Sequence, residues 1–156
     1  MKKIVITSGF FNPIHIGHIN LMREAKKLGD FLVVIVNNDE QVKIKGSISF
    51  MPEQERIEII KDLNYVDEVL LSIDKDITIA KSLEFIAKKY LSAQAGQGEL
   101  YFAKGGDRNI DNIPESEKLV CQTFNIKIVN NVGGDKVQSS SWLLGNKNQI
   151  NKSKSN

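Results

Sequence analysis

One segment constrains the fold more than any other. Residues 31–36, Phe-Leu-Val-Val-Ile-Val, form an unbroken apolar run that is too short for a core-spanning helix. A strand with apolar side chains on both faces must be covered on both faces, which is typical of a central strand in a parallel sheet. The run therefore predicts an α/β domain with helices on each side of a sheet.

Short apolar runs and longer amphipathic segments alternate along the rest of the chain. Strands are predicted at 3–7, 31–36, 67–72, 100–103 and 126–129. Helices are predicted at 16–28, from Pro52 onwards, and at 77–91, 114–124 and 139–144. This order predicts a Rossmann-like three-layer sandwich with a five-stranded, mainly parallel sheet and right-handed crossovers. We expect one domain over residues 1–144, followed by a loose polar tail over 145–156.

Composition narrows the class of protein. The 156 residues carry a net charge of +2, which argues against nucleic acid as the main partner. Cys121 is the single cysteine, so an internal disulfide is excluded and a cytoplasmic protein is favoured. The apolar run after Lys2 and Lys3 is too short for a signal peptide, and no stretch has the ~18 apolar residues of a membrane span.

The segment between the first strand and the first helix has the residues of an anion site. It runs Ser8, Gly9, Phe10, Phe11, Asn12, Pro13, Ile14, His15, Ile16, Gly17, His18. Ligands of such sheets bind at the carboxyl ends of the strands, and a helix N-terminus attracts phosphate. Gly9 and Gly17 would let a ligand approach the backbone. His15 and His18 are three residues apart, so both imidazoles can face the same phosphate.

Two other interpretations of the histidines remain open. They could be metal ligands, but the chain has only these two histidines and one cysteine, so we expect no protein-held metal. They could equally be an ordinary helix cap. The segment lacks the Gly-Lys-Ser/Thr of a P-loop and the three glycines of a dinucleotide fingerprint.

Further candidate residues follow the ends of other predicted strands. Each has a plainer interpretation: a solvated charge run for the lysines, a helix start for Arg56, a tight turn for the glycines, and an N-cap for the serines. The candidates are Lys43 and Lys45 on a mobile loop, Arg56 in a helix, Lys104, Gly105 and Asp107 after the fourth strand, Lys136, and Ser139, Ser140 and Ser141.

These motifs, in this order, resemble the cytidylyltransferase-like nucleotidyltransferase superfamily. Gly9-Phe10 followed by His15-Ile16-Gly17-His18 is similar to its His-x-Gly-His signature. The superfamily includes glycerol-3-phosphate cytidylyltransferases, heptose-phosphate adenylyltransferase domains and archaeal FAD synthases. The sequence Lys-Gly-Gly-Asp at 104–107 resembles the corresponding stretch of the heptose-phosphate adenylyltransferase domains. Lys136 stands near the place of a cytidylyltransferase arginine, and Asn12 occupies a position where many members have aspartate.

The resemblance implies transfer of CMP or AMP from CTP or ATP to a phosphorylated sugar, polyol or amino alcohol, with release of pyrophosphate. His15, His18 and Lys45 would be catalytic, and Mg²⁺ would accompany the triphosphate. Arg56 and Lys136 would bind the acceptor. The nucleotide would contact Ser8, Gly9, Phe10, Asn12, Gly17, Lys43, Lys104, Gly105, Asp107, Ser139, Ser140 and Ser141. Dimeric relatives imply a homodimer, and a non-catalytic nucleotide-binding regulatory module is the alternative function.

Overall fold

The computed structural model describes residues 1–92, 98–106 and 112–134. Five strands and five helices lie in these ranges. The strands are β1 (Lys2–Gly9), β2 (Phe31–Val36), β3 (Glu68–Leu71), β4 (Gly98–Gly105) and β5 (Lys127–Val132). The helices are α1 (Ile16–Lys26), α2 (Asp39–Ile44), α3 (Glu53–Lys61), α4 (Ala80–Leu91) and α5 (Glu115–Thr123).

The strands form one sheet in the order β3-β2-β1-β4-β5, and every pairing is parallel. The predicted α/β class and five-stranded sheet are confirmed. The central strand β1 pairs with β2 on one side, Ile4 beside Phe31, and with β4 on the other, Ile4 beside Leu100. Strand order reverses at β1, so the β1 and β4 ends flank the crevice where such sheets bind ligands.

Two apolar layers cover the sheet. Alternate residues of β1 point to opposite faces, as the period of a strand requires. Ile4 and Ile6 pack in one cluster with side chains of α4 and α5, whereas Val5 packs in the other with Met22 and Ala25 of α1. All five side chains are at most 2 % exposed. The predicted three-layer sandwich is therefore present, with α1 and α3 on the second face.

Helix α2 was not predicted, because the stretch after β2 was interpreted as a mobile loop. Asn38 caps α2: its side chain accepts from the Gln41 N–H at 2.9 Å, and Gln41 Oε1 accepts from the Asn38 N–H at 3.0 Å. This is a reciprocal capping box, which satisfies two otherwise unpaired donors. The pattern Asn38-x-x-Gln41 was the available sequence signal.

Some predictions fall outside the described residues. These are the helix at 139–144, the domain boundary at 144 and the polar tail at 145–156. Among the described residues, no helix is both long enough and apolar enough to cross a lipid bilayer.

Candidate active site

His15 and His18 meet at the start of α1, as their spacing predicts. Their rings stack with centroids 3.7 Å apart and an interplanar angle of 25°. His15 is the N-cap residue of the helix, and His18 is its third residue. Because the helix begins at the end of β1, both imidazoles lie at the strand-order reversal.

Backbone hydrogen bonds fix the tautomer of each neutral imidazole. The His15 N–H donates to His18 Nδ1, and the Gly17 N–H donates to His15 Nδ1, both at 3.1 Å. A nitrogen that accepts a hydrogen bond carries no proton, so the proton of each neutral ring is on Nε2. The pair therefore has two Nε2–H donors for an anion. The Gly17 N–H is thus bound within the helix cap.

The His18 ring is held neutral. Burial, with smaller contributions from the nearby His15 and Lys45 side chains, lowers the pKa of His18 to about 3. A neutral imidazole with a fixed tautomer donates a hydrogen bond without a change of protonation. At neutral pH, His18 therefore suits charge stabilisation better than proton transfer.

Phe11 positions His18 and explains the glycine at position 9. The Phe11 ring meets the His18 ring edge to face, with centroids 4.9 Å apart, and Phe11 is 1 % exposed. A Cβ on Gly9 would lie 2.9 Å from the Phe11 ring. Gly9 thus makes room for Phe11, whereas the sequence suggested room for a ligand. Phe11 was missed because an apolar residue in a glycine-rich turn has no distinguishing pattern.

The two lysines of the β2–α3 connection are placed differently. Lys45 is the C-cap residue of α2, and its Nζ lies 4.3 Å from the centre of the Phe10 ring. Its charge acts on His18, so it approaches the histidine pair. Lys43 lies within α2, is 72 % exposed and pairs with Glu40 at 3.1 Å. Lys45 is therefore the better placed of the two to reach a phosphate.

Asn12 fastens the segment after α2 to the histidine segment. Its Nδ2 donates to the Ile48 carbonyl at 2.7 Å, and its Oδ1 accepts from the Met51 N–H at 2.8 Å. Asn12 is only 4 % exposed. Both ends of its amide are used by the protein, which gives Asn12 a positioning role, and its contact with the nucleotide stays a prediction.

Arg56 is buried under the same segment. Its guanidinium donates to the carbonyls of Met51 at 2.8 Å, Phe10 at 2.7 Å and Asn37 at 2.5 Å. It also pairs with Asp39 at 2.7 Å, and its side chain has no exposed surface. Arg56 therefore joins the ends of β1 and β2 to the start of α3. Arg56 thus positions these segments, and its contact with the phosphorylated acceptor substrate stays a prediction.

Lys104 lies on the opposite face of the sheet from α1. It belongs to the same face as Phe102, which packs with α4 and α5. Its ammonium is 3.5 Å from Glu117 Oε1, and both side chains are 5 % exposed. The other carboxylate oxygen of Glu117 accepts from the Ile79 N–H at 3.3 Å. The structure thus gives Lys104 a buried ion pair and does not bring it to the histidines.

The remaining candidates divide between described and masked positions. Ser8 and Gly105 lie at the ends of β1 and β4, next to the strand-order reversal, and a Cβ on Gly105 would meet nothing within 4 Å. Asp107, Lys136 and the serines at 139–141 lie outside the described residues. Within the described ranges, no cluster of three or more histidine, cysteine or carboxylate side chains could hold a metal ion.

A groove also lies between α1 and β5. It is lined by Asn20, Glu24, Leu28 and residues 129–134. The groove extends to Gly134, the last described residue of that stretch. Its described lining includes no histidine or lysine side chain. We therefore assign the site from the chemistry of the histidine segment and not from the size of the cavity.

Comparisons with known proteins show which family this chain matches. Residues 6–146 match the cytidylyltransferase-like family. An FAD synthase of Pyrococcus abyssi is 41% identical over 126 residues, covering 80% of this chain and 77% of that protein. An FAD synthase of Ferroglobus placidus is 48% identical over 77 residues, about half of each chain. The bifunctional protein HldE of Desulfatibacillum aliphaticivorans is 47% identical over 70 residues, 44% of this chain and 14% of that protein.

A solved structure has the same fold. A lipopolysaccharide core biosynthesis protein from Thermoplasma volcanium superposes with a TM-score of 0.66 at 27% identity, covering 86% of this chain and all of that one. With the family match over most of its length, this chain belongs to the cytidylyltransferase-like family of nucleotidyltransferases.

Proposed function

We propose that this protein transfers AMP from ATP to the phosphate of flavin mononucleotide, forming FAD and pyrophosphate. The observation that carries the proposal is the pair of Nε2–H donors fixed at the start of α1, in a chain 41% identical to an FAD synthase over four fifths of its length. A phosphate oxygen of the acceptor would attack the α-phosphorus of ATP. The bond from that phosphorus to the bridging oxygen of the β-phosphate would break, and pyrophosphate would leave.

The side chains around the histidines can supply what this reaction needs. Negative charge grows on the α- and β-phosphate oxygens as the bond to pyrophosphate lengthens, and preorganised donors stabilise it. His15 and His18 would donate from Nε2, and Lys45 would add a positive charge beside them. ATP would enter as its Mg²⁺ complex, with the ion held mainly by phosphate oxygens and water.

The nearest alternatives differ in the base and in the acceptor. The likeness to HldE supports a sugar phosphate as acceptor, also with ATP. Membership of the broader cytidylyltransferase-like family is also compatible with CTP as the nucleotide and a polyol phosphate as the acceptor. A non-catalytic nucleotide-binding module would bind ATP without turnover. One assay separates these alternatives, because each enzyme predicts a different pair of substrates and the module predicts no turnover.

The experiment measures pyrophosphate release with Mg²⁺ and either ATP or CTP. Each nucleotide is combined with flavin mononucleotide, heptose 1-phosphate or glycerol 3-phosphate, and products are identified by mass. We expect release only with ATP and flavin mononucleotide, together with FAD. Turnover confined to a sugar phosphate would contradict the proposed acceptor. Binding of ATP with no turnover on any acceptor would favour the regulatory module.

The His18→Ala variant tests the role of the imidazole pair. Removing one preorganised donor to a developing oxyanion typically lowers kcat about 10²- to 10³-fold. We expect a loss of this size with KM for ATP changed much less, since the donor acts mainly in the transition state. Steady-state kinetics measure it, with a thermal melt to establish that the variant is folded. An unchanged kcat would remove His18 from the mechanism.

A further inference from the structure

Four large apolar side chains are exposed on the segments around the histidines. They are Ile16 at 54%, Ile44 at 54%, Ile48 at 82% and Phe50 at 61%, and we call them the apolar rim. Ten large apolar side chains are exposed among the described residues, so the rim holds a disproportionate share of them. Apolar surface concentrated at one place, rather than scattered singly, marks a binding surface.

Contacts already described place these segments around the histidine pair. Ile16 follows His15 directly and opens α1. Ile44 precedes Lys45, whose Nζ lies over the Phe10 ring. Asn12, which lies three residues before His15, binds both the carbonyl of Ile48 and the N–H of Met51. Phe50 therefore lies in a segment that is held next to the histidine segment. The segments that carry the apolar rim therefore border the histidine pair, three of the four side chains coming from the β2–α3 connection.

The chemistry of the rim discriminates between acceptor classes. A sugar or polyol phosphate has hydroxyl groups along its length and needs hydrogen-bonding partners, which isoleucine and phenylalanine side chains do not supply. A planar aromatic ring gains from apolar cover and from stacking on phenylalanine. Polar donors at one end of the site and apolar side chains at the other fit an acceptor with a phosphate at one end and a flat ring at the other.

We propose that the apolar rim is the subsite for the aromatic ring of the acceptor, with Phe50 as its principal contact. This rests on the proposed function and adds the residues that recognise the ring. The ring would cover the rim while the acceptor phosphate points toward His15 and His18. Specificity for a flat acceptor would come from the rim, and catalysis from the histidines.

The test measures ring binding without chemistry. Lumiflavin, which has the flavin ring and no phosphate, and flavin mononucleotide are titrated with protein while flavin fluorescence is followed. We expect Phe50→Ala to weaken both ligands about tenfold, as the loss of one stacked aromatic contact would. Phe50→Tyr should restore binding. Phe85→Ala is the matched control, because Phe85 is 47% exposed on α4, away from the rim.

Kinetics separate failure of this inference from failure of the proposed function. We expect Phe50→Ala to raise KM for flavin mononucleotide about tenfold and to leave KM for ATP unchanged. Turnover of flavin mononucleotide with equal KM in Phe50→Ala and Phe85→Ala would overturn the rim and leave the function standing. Lumiflavin binding that depends on Phe50, with no turnover of flavin mononucleotide, would support the rim and overturn the proposed reaction.

Discussion

At the scale of single residues, Asn12 shows how one amide can set the geometry of a site. Its Oδ1 holds the Met51 N–H, and its Nδ2 holds the Ile48 carbonyl. Only a side chain with one donor and one acceptor meets both needs, which an ionised aspartate does not. In this chain, therefore, we expect position 12 to require an asparagine.

The Asn12→Asp variant tests this requirement. Its carboxylate would still accept from Met51 but would face the Ile48 carbonyl without a proton to share. We expect about 1 to 3 kcal/mol of lost stability, the cost of a buried group left unpaired, and about a tenfold fall in kcat/KM. Urea unfolding and steady-state kinetics measure the two effects.

Asn64→Asp is the matched control for that change. Asn64 lies exposed in the turn before β3, at the opposite end of the sheet from the histidines. The same replacement there should leave both quantities within experimental error. If the two variants behave alike, the two hydrogen bonds of Asn12 do not hold the segment.

The sequence predicted which residues form the site better than it predicted what each one does. The spacing of His15 and His18 was enough to pair them, because a helix places residues three apart on one face. Arg56 and Lys104 were expected to meet ligands, yet both are buried against other protein groups. Such partners come from distant parts of the chain and leave no local pattern in the sequence.

At the scale of elements, the ion pair of Lys104 and Glu117 joins the end of β4 to α5. Glu117 Oε1 has no hydrogen-bond partner among the described residues, so the ammonium 3.5 Å away is its main compensation. A buried charge is costly when its partner is removed. We therefore expect the pair to stabilise the packing of α5 against the sheet.

A double-mutant experiment measures this coupling. Lys104→Met alone should cost about 3 to 5 kcal/mol of unfolding free energy, because it leaves a buried carboxylate without its cation. Adding Glu117→Gln should recover much of that loss, since the uncompensated charge is removed. Equilibrium unfolding in urea gives the four free energies of the cycle.

The control uses an exposed ion pair on the same helix. Lys118 pairs with Glu115 at 3.4 Å, and Glu115 is 90% exposed. Lys118→Met should therefore change stability by about 1 kcal/mol or less. Equal losses for Lys104→Met and Lys118→Met would show that burial of the Lys104 pair has no energetic consequence.

At the scale of the whole molecule, the order of the strands and of every described helix except α2 was predicted from the pattern of apolar residues and its glycine and proline boundaries. The run at β2 required cover on both faces, and the structure supplies it through the two apolar clusters. Helix α2 was missed because six residues are too few for helical periodicity to appear. Its capping box was a better signal than its pattern of apolar residues.

The stability of the whole fold should depend on His18 in acid. In the unfolded chain, His18 takes up a proton near its ordinary pKa of 6.5, but in the folded protein it does so only near 3. Between these values the unfolded state binds more protons, so stability falls as pH falls through this window. The slope approaches about 1.4 kcal/mol per pH unit for one proton.

The His18→Gln variant removes the titrating group and should flatten this dependence. Urea unfolding at pH 7.5, 6 and 5 measures the wild type and the variant under matched conditions. We expect the stability of the wild type to fall more steeply than that of the variant below pH 6.5. Parallel curves would mean that His18 is not held neutral by the fold.

The central position of β1 also governs when this protein can fold during synthesis. β1 leaves the ribosome well before its partner β4, which begins only at Gly98. Until β4 emerges, one edge of β1 has no neighbour, and Thr7 has no Ala103 carbonyl to bind. An unpaired edge favours association with other chains. Nascent chains that stall before residue 98 should therefore be the form of this protein most prone to aggregate.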